Sequence, residues 1–155
     1  MLRKFGIIAV LALMAVALAA VPALAQSGHF VGTPTCTDEG TFIECTGKVA
    51  GLGGTTFRID VSASGTASVE CTNPGENVAP GQSFEFAGAG STGDRLTPRN
   101  GQFRFDVETA APTAPPGSCP NPRWTANVVD VEFGDATLTL FEGTAISDQI
   151  TVPVS

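Results

Sequence analysis

From Phe30 onward, apolar and polar residues trade places at period two, and no stretch sustains the period of a helix. Phe57, Ile59, Val61 and Ala63 share one phase, with Arg58, Asp60 and Ser62 on the other. Ser64-Gly65 reads as a turn, after which Ala67, Val69 and Cys71 resume the pattern with Ser68 and Glu70 outside, so the pair predicts a hairpin. Phe84 and Phe86 mark a short strand. Phe103, Phe105 and Val107 mark another, with Arg104, Asp106 and Glu108 outside. Val129, Val131 and Phe133 form the next inward set, and Gly134-Asp135 turns the chain into Leu138 and Leu140. The phase slips between Trp124-Ala126 and Val129, which predicts a bulge near Asn127-Val128. Ile150, Val152 and Val154 form a last strand. Its outward Pro153 cannot donate to a ladder, so this strand belongs at a sheet edge.

With the runs around Phe30-Val31 and Phe42–Ala50, the pattern predicts about seven to nine short antiparallel strands. It also predicts an all-β, immunoglobulin-like β-sandwich. A small β-barrel is the alternative, because strand count does not fix how a sheet closes. Two Pro-rich segments, Asn73–Gln82 and Ala110–Arg123, read as stiff surface loops.

The start of the chain differs from all of this. Arg3 and Lys4 precede an apolar run from Phe5 to Val21, and Ala23-Leu24-Ala25 supplies a small-x-small cleavage pattern before Gln26. The expectation is a cleaved signal peptide over residues 1–25 and one exported domain over 26–155. No later stop-transfer segment is seen, so the protein is expected to be secreted or periplasmic, without a membrane anchor. A lipid-attachment cysteine, a Leu-Pro-x-Thr-Gly sorting signal and an apolar C-terminal tail are also missing from the pattern.

Cleavage changes the charge. The precursor carries −7, and loss of Arg3 and Lys4 leaves six basic against fifteen acidic residues, or −9. Nucleic acid and anionic lipid need a cationic footprint, so neither is expected as a partner. Ten Phe but no Tyr and a single Trp, Trp124, weaken any reading that relies on a Tyr- and Trp-rich binding surface.

In an oxidising compartment Cys36, Cys45, Cys71 and Cys119 read as bridges, with three pairings open. Cys36 and Cys45 flank the turn-forming Asp38-Glu39-Gly40, which makes a short cross-strand bridge easy and leaves Cys71 for Cys119. The chain-entropy model gives about 2.5 kcal/mol for the short loop and about 4 kcal/mol for the long one. A Zn site is disfavoured, since there is no Cys-x-x-Cys spacing and His29 is remote.

Three segments together resemble a group of small exported proteins of the actinobacterial type. They are Cys45-Thr-Gly-Lys-Val-Ala-Gly-Leu-Gly53, Cys71-Thr-Asn-Pro-Gly-Glu-Asn77 with Ala79-Pro-Gly81, and Cys119-Pro-Asn-Pro-Arg-Trp124-Thr. The group carries Gly-Leu-Gly, Cys-x-Asn-Pro-Gly-x-Asn and Cys-Pro-x-Pro-x-Trp motifs. The resemblance spans Cys45 to Leu140 and implies export, one domain and a Cys71–Cys119 pair, with no activity attached. Glu76 stands where the group often has Gly, so a glycine-only backbone is not expected there.

Candidate chemistry is sparse. Gly51-Leu-Gly53-Gly54 and Gly88-Ala-Gly90-Ser-Thr-Gly93 could cradle phosphate, but neither opens a helix or carries a P-loop Lys, so both read as flexible turns. No Gly-x-Ser-x-Gly elbow is present and His29 is the single histidine, so no catalytic residue and no enzyme activity is expected. Asp106, Glu108, Asp130 and Glu132 are the remaining candidates. If their strands were neighbours, four carboxylates would meet and could hold Ca²⁺ or act as a hydrolytic acid/base pair. Solvated strand faces are the simpler reading, and no cofactor is otherwise expected. Phe30, Phe141 and Trp124 could form a contact patch. Alternation places Phe141 outside and Phe30 and Trp124 in the core, with Trp124 beside a bridge.

The expected function is therefore a non-catalytic extracellular binding or surface domain with an unknown protein or surface partner. Alternatives are a subunit that self-assembles through terminal strands, Gln26–Thr35 or Ile150–Val154, and a presenter of the stiff loop Ala110–Pro122 in the manner of a protease inhibitor. The carboxylate hydrolase is the remaining one.

Overall fold

The computed structural model describes residues 28–155; the expected signal peptide, residues 1–25, lies outside the described residues. The alternating segments become ten strands: β1 (His29–Phe30), β2 (Thr35–Asp38), β3 (Ile43–Ala50), β4 (Thr56–Thr72), β5 (Val78–Pro80), β6 (Phe84–Ser91), β7 (Arg95–Leu96), β8 (Phe103–Glu108), β9 (Thr125–Glu142) and β10 (Ala145–Val152). They form two sheets of a β-sandwich that do not close into a barrel. In the first, β1 and β2 follow one another along one side of β3, and β8 runs along the other. In the second, β9 lies between β10 and β4, and β7, β6 and β5 succeed one another along the far side of β4.

Period-two patterning explains the core. Ile43, Cys45, Val49, Phe105 and Val107 of the first sheet meet Phe57, Ile59, Val61, Leu138, Leu140 and Val152 of the second. Each of these strands buries alternate residues, so the opposite face stays polar. Phe30 packs edge-on against Phe105 at 5.8 Å between ring centroids. The two disulfides are Cys36–Cys45, which joins directly paired residues of β2 and β3, and Cys71–Cys119.

The second sheet outreaches the first. Beyond Gly65 the inward residues Ala67, Val69, Cys71 and Val131 remain buried. The Pro-rich segment 110–123 is pinned at this end by Cys119, and Gln82 N–H donates to the Ser118 carbonyl at 2.8 Å. Gly81 is part of this closure, since a Cβ there would come within 2.8 Å of Cys71 Sγ and of Val69 Cγ1.

Two expectations change. Ser64-Gly65 and Gly134-Asp135 are not turns, because β4 and β9 each run through them as one strand. The β4–β9 ladder continues from Phe57↔Glu142 to Thr72↔Thr125, and the turn signals mark a register shift between Ala63 and Gly65. Glycine is required at this point because a Cβ on Gly65 would lie 2.3 Å from the Glu132 carbonyl oxygen. A second shift, between Ser68 and Val69, leaves Val129 unpaired, close to the expected bulge. That extra residue turns Val129 outward and leaves it exposed, against the inward expectation.

Glu76 also departs from expectation, with a φ of 63°. The turn is imposed from both sides: Asn73 Oδ1 accepts from the amides of Gly75 and Asn77 at 2.8 and 2.9 Å. The last strand lies at a sheet edge as expected, but β10 ends at Val152: Pro153 stands outside it, and Val154 forms a parallel bridge with Cys36 on the other sheet.

Gly65→Ala separates a strand closely approached by its neighbour's backbone from an unobstructed strand by sign. In an unobstructed strand, alanine for glycine gains about 0.5–1 kcal/mol. The collision with the Glu132 backbone should instead cost about 2 kcal/mol or more, measured by denaturant unfolding. Glu76→Gly is expected to gain about 1 kcal/mol by relieving a left-handed non-glycine residue. A loss on Glu76→Gly would show that this conformation carries no strain.

Candidate functional site

The loop Gly51-Leu-Gly53-Gly54 does cradle an anion, and the anion is the chain's own. Glu142, at the end of β9, is fully buried. Its Oε1 accepts from the amides of Gly53 at 2.7 Å and Gly54 at 3.0 Å, and its Oε2 accepts from Gly28 N–H at 3.0 Å. Ser147 Oγ lies 2.7 Å from Oε2 and 2.9 Å from the Gly28 carbonyl oxygen, so its one proton is shared between them. Burial alone would push the Glu142 carboxyl up, but the Gly54 amide, the Ser147 hydroxyl and the amides of Gly53 and Gly28 outweigh it. The carboxyl is held below the usual carboxylate range. The flexible-turn expectation for this loop is therefore corrected. Alternation gave one signal that was not used: Glu142 continues the inward phase of Leu138 and Leu140.

The outer face of the larger sheet carries an array of polar side chains bonded to one another. Its middle row crosses four strands as Ser91, Asp60, Thr139 and Gln149, each paired with the next. Ser91 Oγ donates to Asp60 Oδ1 at 2.6 Å, and Gln149 Nε2 donates to Thr139 Oγ1 at 2.9 Å. The row above is Ala89, Ser62, Thr137 and Thr151, with the last two hydroxyls 3.2 Å apart. The row below holds Arg58, Phe141 and Ile146. The Arg58 guanidinium lies 4.4 Å from the Phe141 ring centroid and bridges to Asp60 at 3.0 Å and Asp94 at 3.5 Å. Pleat and strand spacing set this grid at about 7 Å by about 4.8 Å. A shallow hollow of about 460 Å³ opens over Arg58, Asp60, Ser62, Ala89, Ser91 and Thr139.

The four sequence-selected carboxylates are not brought together. Asp106 and Glu108 lie on β8 of the smaller sheet, and Asp130 and Glu132 on β9 of the larger, with both pairs exposed. The strands are not neighbours because β8 pairs with β3, whereas β9 pairs with β4 and β10. This removes the shared Ca²⁺ or acid/base site that the sequence suggested. Among the described residues, no group of three or more His, Cys, Asp or Glu is arranged to hold a metal. What Asp106 and Glu108 meet instead is Glu44, through the β3–β8 ladder. The neighbouring Asp106, with smaller pushes from Glu39 and Glu108, holds the Glu44 carboxyl above the usual range.

Phe30, Phe141 and Trp124 also part company. Phe30 is in the core and Phe141 is on the outer face, both as alternation placed them. Trp124 is half-buried outside the main core, a correction to its expected place. It lines a hollow of about 380 Å³ with Pro115, Pro116 and Pro122 near Cys119. That segment is braced by the Cys71–Cys119 bridge and by Asn121, which accepts from the Arg123 and Trp124 amides. His29 sits on β1 opposite Ala50. Among the described residues, no helix is long and apolar enough to cross a membrane.

No family model matches the chain, and neither does any curated protein or solved structure.

Replacing Glu142 is expected to cost about 3–5 kcal/mol, because Ala leaves three amides without their acceptor and Gln turns a donor toward them. The sign of the pH effect follows from its lowered folded-state value. The contribution is full above about pH 4.3, the unfolded value, and is lost as pH falls through the folded one. Denaturant titrations from neutral to acid pH should show the wild-type advantage over Glu142→Gln shrinking, whereas a pH-independent gap would contradict the assignment. Glu44 runs the other way. Its raised value penalises the charged form in the folded state, so Glu44→Gln should raise the thermal midpoint at neutral pH by an amount that fades with acidification.

Proposed function

We propose that this is an exported, non-catalytic binding domain that meets its partner with the outer face of the six-stranded sheet. The observation that carries the reading is the three-row array around Asp60 and Thr139. Its side chains are held by one another before any partner arrives, so binding would cost little further ordering. The charged groups of the array, Arg58, Asp60 and Asp94, are paired among themselves. Recognition would then rest on hydroxyl, amide and carboxylate hydrogen bonds in the upper rows and on Phe141 and Ile146 at one corner. Ile146 is 62 % exposed, which leaves an apolar anchor at the rim of a polar field.

Export supports the same reading. Two disulfides suit an oxidising compartment, and a mature charge of −9 suits a soluble extracellular molecule. The Cys71–Cys119 staple and the buried Glu142 give the face a stiff support, which a pre-ordered surface needs.

The test compares capture from the extracellular fraction by three immobilised proteins. They are the wild type, an Asp60→Arg/Thr139→Arg variant, and a Thr46→Arg control on the outer face of the smaller sheet. Circular dichroism and native disulfide mass verify folding of each. Species retained by the wild type and the control should be lost from the double variant. Identical capture by all three, or no capture by the wild type, would contradict the proposal.

A further inference from the structure

The segment Gly28–Val31 carries edge strand β1 of the first sheet and fills a slot there bordered by Glu142, Ser147 and Asp148 of the second. Bonds from Gly28, Phe30 and Val31 reach distant parts of the chain. Gly28 is held by Glu142 and Ser147, Phe30 N–H donates to Asp148 Oδ2 at 2.9 Å, and Val31 N–H donates to the Lys48 carbonyl at 2.8 Å. The Phe30 side chain is buried against Phe105, and β1 pairs only with the end of β3, His29↔Ala50 and Phe30↔Val49. The slot selects its occupant: a Cβ at the first position would come within 2.8 Å of Glu142 Oε2 and 3.1 Å of Leu52 Cδ2. It holds Gly28 and the Phe30 ring buried, with His29 exposed between them.

The link to the rest of the chain is short and outside the slot. Gly32 has a φ of 72° with nothing near a would-be Cβ, and Gly32 and Thr33 are exposed. The first covalent anchor after it is Cys36, bridged to Cys45. The arm can therefore leave and re-enter a slot without any disulfide breaking. An empty slot is unfavourable, since it uncovers Phe105 and takes the Gly28 amide from a buried carboxylate. An arm supplied by a second copy restores every one of these contacts and alters only the hinge.

We propose that residues 28–31 are an exchangeable arm, and that the Glu142 slot of one molecule accepts the arm of another copy of this chain. The partner copy would then supply the Gly28 amide to the carboxylate and the Phe30 ring to the core. This strand exchange does not depend on the outer-face reading above. A short hinge gives the arm an effective concentration of about 1 mM for its own slot. Exchange therefore becomes visible at comparable protein concentrations or when the hinge is strained. Gly32→Val supplies that strain through φ alone, because there is no neighbour for the new side chain to strike.

Two single-cysteine variants of the secreted chain test this, His29→Cys and Ala50→Cys, each verified to keep both native disulfides. The two positions face each other across β1 and β3 as a hydrogen-bonded pair, whose Cα spacing of about 5.5 Å is within the span of a disulfide. Mixed at about 1 mM and oxidised, they should yield a linked pair of unlike chains on non-reducing gels and by intact mass. The yield should rise with Gly32→Val in both chains. It should fall about tenfold when Gly28→Ala is added to the His29→Cys chain, the cost of one lost charge-assisted contact. The variant carrying both cysteines should close internally at low concentration. Internal closure with no linked pair in the mixture, even with Gly32→Val, would overturn the proposal. Failure of internal closure would overturn it as well, by showing that the arm does not sit beside β3.

Discussion

A buried carboxylate holds together three parts of this chain that are far apart in sequence. Glu142 receives amides from Gly28 and from Gly53 and Gly54, and shares the Ser147 proton. Taking an ion out of water is costly, and the cost is met only where hydrogen bonds replace the lost solvation. Here those bonds come from three backbone amides, which cost little side-chain entropy to order, and from the Ser147 hydroxyl. The loop from β3 to β4, the arm that carries β1 and the β9–β10 hairpin are consequently fixed in one place. Removing the carboxylate would leave the loop and the arm with unmet amides and Ser147 with the Gly28 carbonyl alone.

The rest of the fold arranges itself around that corner and its opposite. At the Glu142 end the two sheets cover each other and share the main core. At the far end the long β4–β9 ribbon overhangs, and a proline-rich strap stapled by Cys71–Cys119 takes the place of a second sheet. The close approach of Gly65 to the Glu132 backbone lies between these two regimes. A sheet supported from both ends presents an outer face whose side chains sit on a regular grid.

Much of this was legible in the residues, and the failures share a cause. Period-two patterning located the strands, the inward Phe and Leu positions, the outward Phe141 and the edge position of the last strand. Turn chemistry between Cys36 and Cys45 led to both bridges. Glycine was the main source of error. Gly65 and Gly134 looked like turn residues because local sequence does not show whether a missing Cβ allows a reversal or the close approach of a neighbouring backbone. Gly53 and Gly54 looked like slack, because their partner lies 89 and 88 residues away. Carboxylate grouping failed for a related reason: which strands become neighbours is decided by topology, and alternation says nothing about it. Glu76 took the left-handed conformation without being glycine because Asn73 fixes the turn from outside.

The central claim is that the Glu142 carboxylate orders the arm and the glycine loop together. Its most direct measurement is amide NMR of Gly28, Gly53 and Gly54 during acidification, with hydrogen exchange recorded on the same resonances. The expected result is slow exchange at neutral pH, with all three amide shifts following one common titration below the usual carboxylate range. Fast, loop-like exchange at Gly53 and Gly54, or shifts that titrate independently of Gly28, would contradict the account.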